Sequence, residues 1–162
     1  QPFLLAEPLP ESNEFNLQDK WKFQAINVGH TDTYDSTFLW VPDLRLAVAG
    51  DVVYGQVHQM FLEANTKAKR QQWIEAIKKL ETYNPAIVVP GHCQEGEILG
   101  SWHLGNTKQY IKDFDSVIDD GARTVKEIVA AVTKLYPDRF NTGALFLSAM
   151  GTVNAAETAT KT

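Results

Sequence analysis

Three short apolar runs in this chain end in glycine, and each glycine is followed at once by a side chain that metals bind. The run "INVG" precedes His30, "AVAG" precedes Asp51 and "VVPG" precedes His92. Short runs of this kind are typical of β-strands, and glycine lets the backbone turn sharply after a strand without a Cβ penalty. The sequence therefore predicts a sheet with three polar side chains at strand ends, where a rigid scaffold often presents functional groups.

The strands can be placed more closely. Segment 21–28 alternates well enough to predict a half-buried strand. Residues 36–41 and 45–50 are two further apolar runs around the turn sequence Pro-Asp-Leu, which is typical of an antiparallel hairpin. The run 86–89 is apolar on both faces and favours a covered strand.

The remaining segments have helical periodicity. One helix is predicted between Thr66 and the Asn-Pro pair at 84–85, because proline stops a helix. A second covers 104–118, and a third begins at Thr124, whose capping-box partner is Glu127. Strands alternating with helices favour an α/β (α+β) fold, with a mixed sheet covered by helices.

The composition excludes several classes of protein. With 162 residues, 44% hydrophobic and 22% charged, the chain has the size and balance of one globular domain. A net charge of −5, with Lys and Arg scattered, provides no basic surface for nucleic acid. No apolar run reaches the ~18 residues of a membrane span, so we expect no nucleic-acid or membrane partner and a cytoplasmic location.

We divide the chain into a lead-in segment (1–20), a main α/β part (21–136) and a tail (137–162). The first half of the Ala/Thr-rich stretch that follows residue 141 is expected to be helical, and the last residues to fray. The chain begins at Gln1 rather than methionine, without the regions of an intact signal peptide. We therefore expect that it is trimmed or cut from a longer protein.

Two imidazoles and one carboxylate suit Zn²⁺, and also Fe²⁺ or Mn²⁺. A carboxylate at position 51 has two oxygens and is able to bridge two cations. Against this, a single Gly-His is more often a turn than a ligand, and a single Gly-Asp is more often an Asx turn or a helix cap. Spacing alone does not show that the three strand ends are neighbours, and a hydrolytic zinc site normally has three protein ligands plus water.

The order of the motifs "GHTDTYDST", "AVAGDVVYG" and "VVPGH" resembles the second half of the metallo-β-lactamase fold. The resemblance implies half of a four-layer αβ/βα sandwich, with residues 21–136 as the C-terminal half of the domain. It also implies metal-dependent, dizinc hydrolysis of a small-molecule substrate, in which His30 binds the first metal and His92 the second. Asp51 bridges both metals and is the catalytic candidate.

The family's first motif, His-x-His-x-Asp-His, is absent, and residues 1–29 contain no histidine. We therefore expect a chain that is inactive alone, with an apolar sheet face that needs a partner. That partner is either the missing N-terminal half or a second copy of the chain as a homodimer. The alternative is a non-catalytic α/β module that acts by binding or dimerisation.

Three further residues are assigned secondary roles. His58, just after the Asp51 loop, is a candidate for the substrate pocket. Asp32 and Asp35 lie in the loop after His30, where either carboxylate is placed to hydrogen-bond the outer nitrogen of a ligand histidine.

Overall fold

The computed structural model describes residues 5–161, which form one five-stranded sheet and four α-helices. The strands are β1 (Glu14–Leu17), β2 (Trp21–Gly29), β3 (Ser36–Val41), β4 (Leu46–Tyr54) and β5 (Ile87–His92). The helices are α1 (Lys67–Glu81), α2 (Trp102–Asp119), α3 (Val125–Leu135) and α4 (Thr142–Ala159).

Strands that follow one another in the chain are also neighbours in the sheet, in the order β1-β2-β3-β4-β5. The first four pair antiparallel, whereas β5 lies parallel to β4, with α1 in the crossover between them. Strands β2, β4 and β5 consequently run in the same direction, and their carboxyl ends meet at one edge of the sheet. The predicted mixed sheet with helical cover is confirmed.

One face of the sheet is covered by α1 and α2, with α3 packed on α2 and α4 on α3. The buried sheet residues under these helices are Phe38, Trp40, Ala47, Ala49 and Val88. Trp73 of α1 fixes the helix to the sheet, because its indole Nε1 donates a 2.8 Å hydrogen bond to the carbonyl oxygen of Val52. No helix within residues 5–161 combines the length and apolar character needed to cross a bilayer.

The opposite face of the sheet is apolar and open. Cross-strand pairs place one row of side chains there, and the row continues onto β1 and β5: Phe15, Leu17, Trp21, Phe23, Ala25, Leu39, Leu46, Val48, Ile87 and Val89. We call these ten residues the open face. Leu17, Val48 and Ile87 keep 53%, 37% and 42% of their surface exposed. This is the exposed apolar face that the sequence analysis expects.

Local sequence signals fix several element ends. The Thr66 hydroxyl accepts a hydrogen bond from the backbone nitrogen of Lys69 at the start of α1. Thr124 and Glu127 form the predicted capping box of α3. The predicted Pro-Asp-Leu turn is a short 3-10 helix, Pro42–Leu44.

Several element ends differ from the predictions. Strand β5, predicted over 86–89, continues to His92, so this histidine is the last residue of the strand rather than one beyond it. Strand β4 does not stop at Gly50 but continues to Tyr54, because pairing with β5 resumes beyond a break in register at residues 50–54. Asp51 therefore lies inside a strand rather than after one. Helix α4 extends to Ala159 and leaves much less of the tail to fray than expected.

A buried ion pair ties α1 to α2. Arg70 Nε lies 2.6 Å from Asp115 Oδ1, with the two side chains 2% and 13% exposed. The Arg70 guanidinium also donates to the Ala64 carbonyl and lies over the rings of Phe61 and Phe114. Burial raises the pKa of Asp115, and the Arg70 charge opposes that rise.

We expect Arg70→Met to lower the free energy of unfolding by about 3–5 kcal/mol, because it leaves a partly buried carboxylate without its cation. The matched control is Lys67→Met, which removes an exposed ion pair to Asp119 between the same two helices. The control is expected to change stability little. Urea unfolding followed by circular dichroism measures both, and equal losses in the two variants would contradict the assignment.

Candidate metal centre at the strand ends

The sheet brings the three Gly-ended segments to one edge. Strand β2 ends at Gly29, which pairs with Ser36 at the start of β3, and β5 ends at His92. Asp51 lies on the intervening strand β4 near the same edge. Adjacent strands are about 4.8 Å apart, so the backbone of Asp51 neighbours that of β5 but is roughly 10 Å from β2.

Asp51 and His92 are in direct contact. Asp51 Oδ1 lies 3.3 Å from His92 Nε2, and both side chains are about half exposed at the sheet edge. Two local features turn Asp51 towards β5. Gly50 has a left-handed backbone, φ +52, within the break in the β4–β5 register, and such irregularities re-aim side chains.

Gly91 provides the space that Asp51 occupies. A Cβ at position 91 would stand 2.2 Å from Asp51 Oδ1 and 2.9 Å from its backbone nitrogen. Real Cβ atoms do not approach other atoms so closely, so only glycine admits the carboxylate here. The "VVPGH" glycine is therefore required for the contact with Asp51 rather than for a left-handed turn.

His30 follows β2 as predicted, but it is buried, with 6% of its surface exposed. Neither ring nitrogen has a hydrogen-bond partner among the described residues. Its ring stacks on Tyr34 with 4.4 Å between centroids, and the Lys69 ammonium lies 5.4 Å from the Tyr34 centroid. A buried imidazole without partners is costly unless another group satisfies it.

Asp32 is also buried, in the loop after His30. Its Oδ1 accepts hydrogen bonds from the Thr31 hydroxyl and the Thr33 backbone nitrogen. Burial, and then the negative charge of Asp51, raise the pKa of Asp32 to about 6. The pKa of Tyr54 is raised by its burial and by the same two carboxylates. Asp32, Asp51 and Tyr54 therefore share one negatively charged neighbourhood.

The chemistry of these donors suits zinc, but their number does not complete a site. Among residues 5–161, no group of three or more His, Cys, Asp or Glu side chains is placed to hold a metal ion. Asp51 and His92 are in contact, and the loop that follows His30 reaches the same region, because Asp32 and Asp51 affect each other electrostatically. The ligand roles of the three residues remain predictions.

The secondary roles also remain predictions. Neither Asp32 nor Asp35 hydrogen-bonds a histidine in this structure, and Asp35 is an exposed turn residue with φ +57. His58 is fully buried, and its Nδ1 lies 2.8 Å from the Tyr110 hydroxyl oxygen. Burial, and then the positive charge of Arg139, lower the pKa of His58 to about 4.

Glu97 is a site-supporting residue that the sequence analysis did not identify. Its carboxylate accepts hydrogen bonds from the backbone nitrogens of Gln56 and Gln94, so it joins the loops after β4 and β5. His103 Nδ1 lies 3.5 Å from the same carboxylate, which is 5% exposed. Nothing local distinguishes Glu97 from the other acids of the chain, because its partners come from distant segments.

The chain thus forms a mixed five-stranded sheet with helices on one face, and Asp51 and His92 meet at one edge of it. The sequence matches the profile of the metallo-beta-lactamase superfamily over residues 8–92. The chain belongs to this superfamily. No curated protein matches it.

Solved structures share the fold of this chain. A metallo-beta-lactamase family protein from Thermus thermophilus aligns with 98% of this chain and 51% of its own, with a TM-score of 0.62 and 12% identity. A metallo-beta-lactamase from Pontibacter korlensis aligns with 63% of this chain and 46% of its own, with a TM-score of 0.50 and 19% identity. The chain thus spans about half the length of the solved relatives it matches.

We expect Gly91→Ala to lower the free energy of unfolding by about 1–3 kcal/mol and to separate Asp51 from His92, because the new methyl group overlaps the carboxylate. Gly105→Ala in α2 is the control, since a Cβ there meets no atom within 4 Å. The control should be neutral or slightly stabilising. Urea unfolding and the NMR chemical shifts of the His92 ring test the pair, and an unchanged ring environment in Gly91→Ala would refute the expectation.

The lowered pKa of His58 predicts a pH dependence of stability. The unfolded state binds a proton near the ordinary value of 6.5, and the folded state does so only near 4. Folding is therefore weakened as the pH falls from about 6.5 to 4, by on the order of 3 kcal/mol in total. His58→Gln should flatten this part of the stability profile. Urea midpoints measured from pH 7 to pH 4 in both proteins test it, and parallel profiles would argue against it.

Proposed function

We propose that this chain supplies half of the active site of a metal-dependent hydrolase, with one or two zinc ions in the complete site. The observation that carries the proposal is the contact between Asp51 and His92 at the strand ends of a metallo-beta-lactamase superfamily chain. Iron and manganese accept the same donor types. The substrate is a small molecule whose class these residues do not define.

His30 is the third donor in this proposal. Both ring nitrogens of His30 are buried without a hydrogen-bond partner, as expected of a metal ligand whose cation is not bound. The Tyr34 ring stacked on it limits the ring's freedom to rotate. Asp32, two residues after His30, is close enough to Asp51 for the Asp51 charge to raise its pKa, which supports placing the loop after β2 at the proposed site.

The remaining donors come from a second α/β half. The open face needs an apolar cover, and monomeric proteins rarely expose contiguous apolar patches of more than a few hundred Å². Relatives of the same fold are about twice as long as the aligned part, so each has as much chain again beyond it. We therefore assign the open face to that second half, with a second copy of this chain as the competing occupant.

Zinc supplies a Lewis acid that lowers the pKa of water, which is the basis of hydrolysis in such sites. In this proposal the residues of this chain hold the metal and orient its ligands. Asp51 is kept against β5 by Gly91, His92 is fixed by its place at the end of β5, and Glu97 joins the two loops behind them. Until the second half is present we expect little or no turnover.

Zinc titration of this chain by calorimetry tests the donor assignment. We expect weak binding that Asp51→Asn and His92→Gln each reduce by more than about tenfold, because even the outer partners of metal ligands are worth 10–100-fold. Cys93→Ser is the control, since this exposed thiol adjoins His92 and would bind zinc adventitiously. Binding that disappears in Cys93→Ser but survives in Asp51→Asn would overturn the assignment.

Sedimentation of the chain and of Val48→Lys/Ile87→Lys tests the open face. Concentration-dependent association into an ordered dimer, abolished by the two lysines, would indicate that a second copy of this chain covers the open face, rather than the second half. A dimer that binds no zinc would favour the alternative function, a non-catalytic α/β module. A monomer or nonspecific aggregate whose association is suppressed by the lysines agrees with a face that another polypeptide covers.

A further inference from the structure

A cavity whose lining includes none of the strand-end donors has the features of a ligand site. Its volume is about 330 Å³, at the low end of small-molecule sites. It lies between the loop after β4, helix α2 and the segment that joins α3 to α4. The lining residues are Gln56, Asn106, Gln109, Leu135, Tyr136, Pro137, Asp138 and Arg139.

Two aromatic rings and one hydrogen bond fix the side chain of Arg139 in the wall of this cavity. Its guanidinium carbon lies 4.6 Å from the centroid of Tyr110 and 4.4 Å from that of Tyr136, and these two rings are themselves in contact, with 4.9 Å between their centroids. Nη1 donates a 2.9 Å hydrogen bond to the Val57 carbonyl oxygen. The two ring contacts and this hydrogen bond limit the reorientation of the side chain.

The rest of that cation has no partner. Within residues 5–161, Nε and Nη2 of Arg139 make no hydrogen bond, and no carboxylate lies within 4 Å. The carboxylates of Glu97 and Asp113 act on Arg139 through their charge but hydrogen-bond elsewhere. Glu97 accepts from the backbone nitrogens of Gln56 and Gln94, and Asp113 accepts from Tyr136 and Gln109. Partly buried charges are normally paired, so a guanidinium that lines a cavity and keeps donors without hydrogen-bond partners indicates that the missing partner is a ligand.

We propose that this cavity binds a small organic carboxylate, with the Nε–Nη2 edge of Arg139 as its principal contact. A guanidinium directs its N–H donors within its own plane, and a planar carboxylate matches two of them with two parallel hydrogen bonds. The cavity offers one cation and also contains Asp138. This balance favours a single negative charge over the double charge of phosphate.

The remaining lining defines the body of the ligand. The side-chain amides of Gln56 and Asn106 make no hydrogen bonds within the described part of the chain, so they are available to hydroxyl or carbonyl groups. Leu135 and Pro137 add apolar surface. The ligand class is therefore a small carboxylic acid that also carries a polar group, such as a hydroxy acid.

NMR titration with sodium 3-hydroxybutyrate tests the site, with sodium chloride at equal ionic strength and inorganic phosphate as separate arms. We expect saturable shifts of the Arg139 Nε–Hε and Gln56 backbone signals with the hydroxy acid only. Arg139→Met should weaken binding at least about tenfold, since hydrogen bonds to charged groups are the strong ones. Asp138→Asn should tighten it, because it removes a like charge from the cavity.

Arg139→Met also removes the hydrogen bond to Val57, and circular dichroism shows whether this variant still folds. If it does not fold, two other variants test the proposal. Asp138→Asn is expected to bind the hydroxy acid more tightly, and Asn106→Ala is expected to bind it more weakly. Saturation by phosphate in preference to the hydroxy acid, unchanged affinity in Arg139→Met, or weaker binding in Asp138→Asn would each overturn the carboxylate assignment.

Discussion

Backbone pairing between β4 and β5 runs in parallel up to Gly50 and Pro90 and resumes at Tyr54 and His92. The residues between, where the two strands lose register, include Asp51. Because Gly91 leaves no side chain in the way, the Asp51 carboxylate turns sideways against β5 instead of projecting from the sheet face. The contact with His92 thus follows from a local failure of strand pairing, which two glycines make possible.

The same sheet has two unlike faces. On one, helices α1 and α2 bury a continuous aromatic and aliphatic core, and Trp73 and Arg70 add polar contacts that fix the helices in place. On the other, ten apolar side chains stand in cross-strand rows, and four of them, Phe15, Leu17, Val48 and Ile87, keep 37–53% of their surface exposed. The strand-end donors lie on the edge shared by both faces, so a second layer on the open face would approach the same edge.

Local chemistry explains what the sequence predicts well. The capping box at Thr124 and Glu127, the Pro-Asp-Leu turn and the alternation in β2 depend on residues a few positions apart, and the structure has each of them. The extension of β4 to Tyr54 depends on hydrogen bonds to a strand more than thirty residues away, so no local pattern marks the end of that strand. The glycine before His30 correctly marks a strand end, but the burial of that ring beneath Tyr34 is a tertiary feature.

Residues whose inferred roles depend on distant partners likewise have no local signal in the sequence. Glu97 gains its role from backbone nitrogens on two separate loops, and Arg139 from two tyrosines on different helical segments. Neither residue belongs to a motif, and neither stands out by composition.

The order of the strands also bears on how the chain reaches its fold. Since every strand pairs with its neighbour in sequence, assembly requires only short loops to close, apart from the single helical crossover between β4 and β5. Loop-closure entropy and contact order therefore stay modest for most of the sheet, and the crossover is the step with the largest entropic barrier. The kinetic bottleneck of folding is thus expected in the same β4–α1–β5 unit that carries Asp51 and His92.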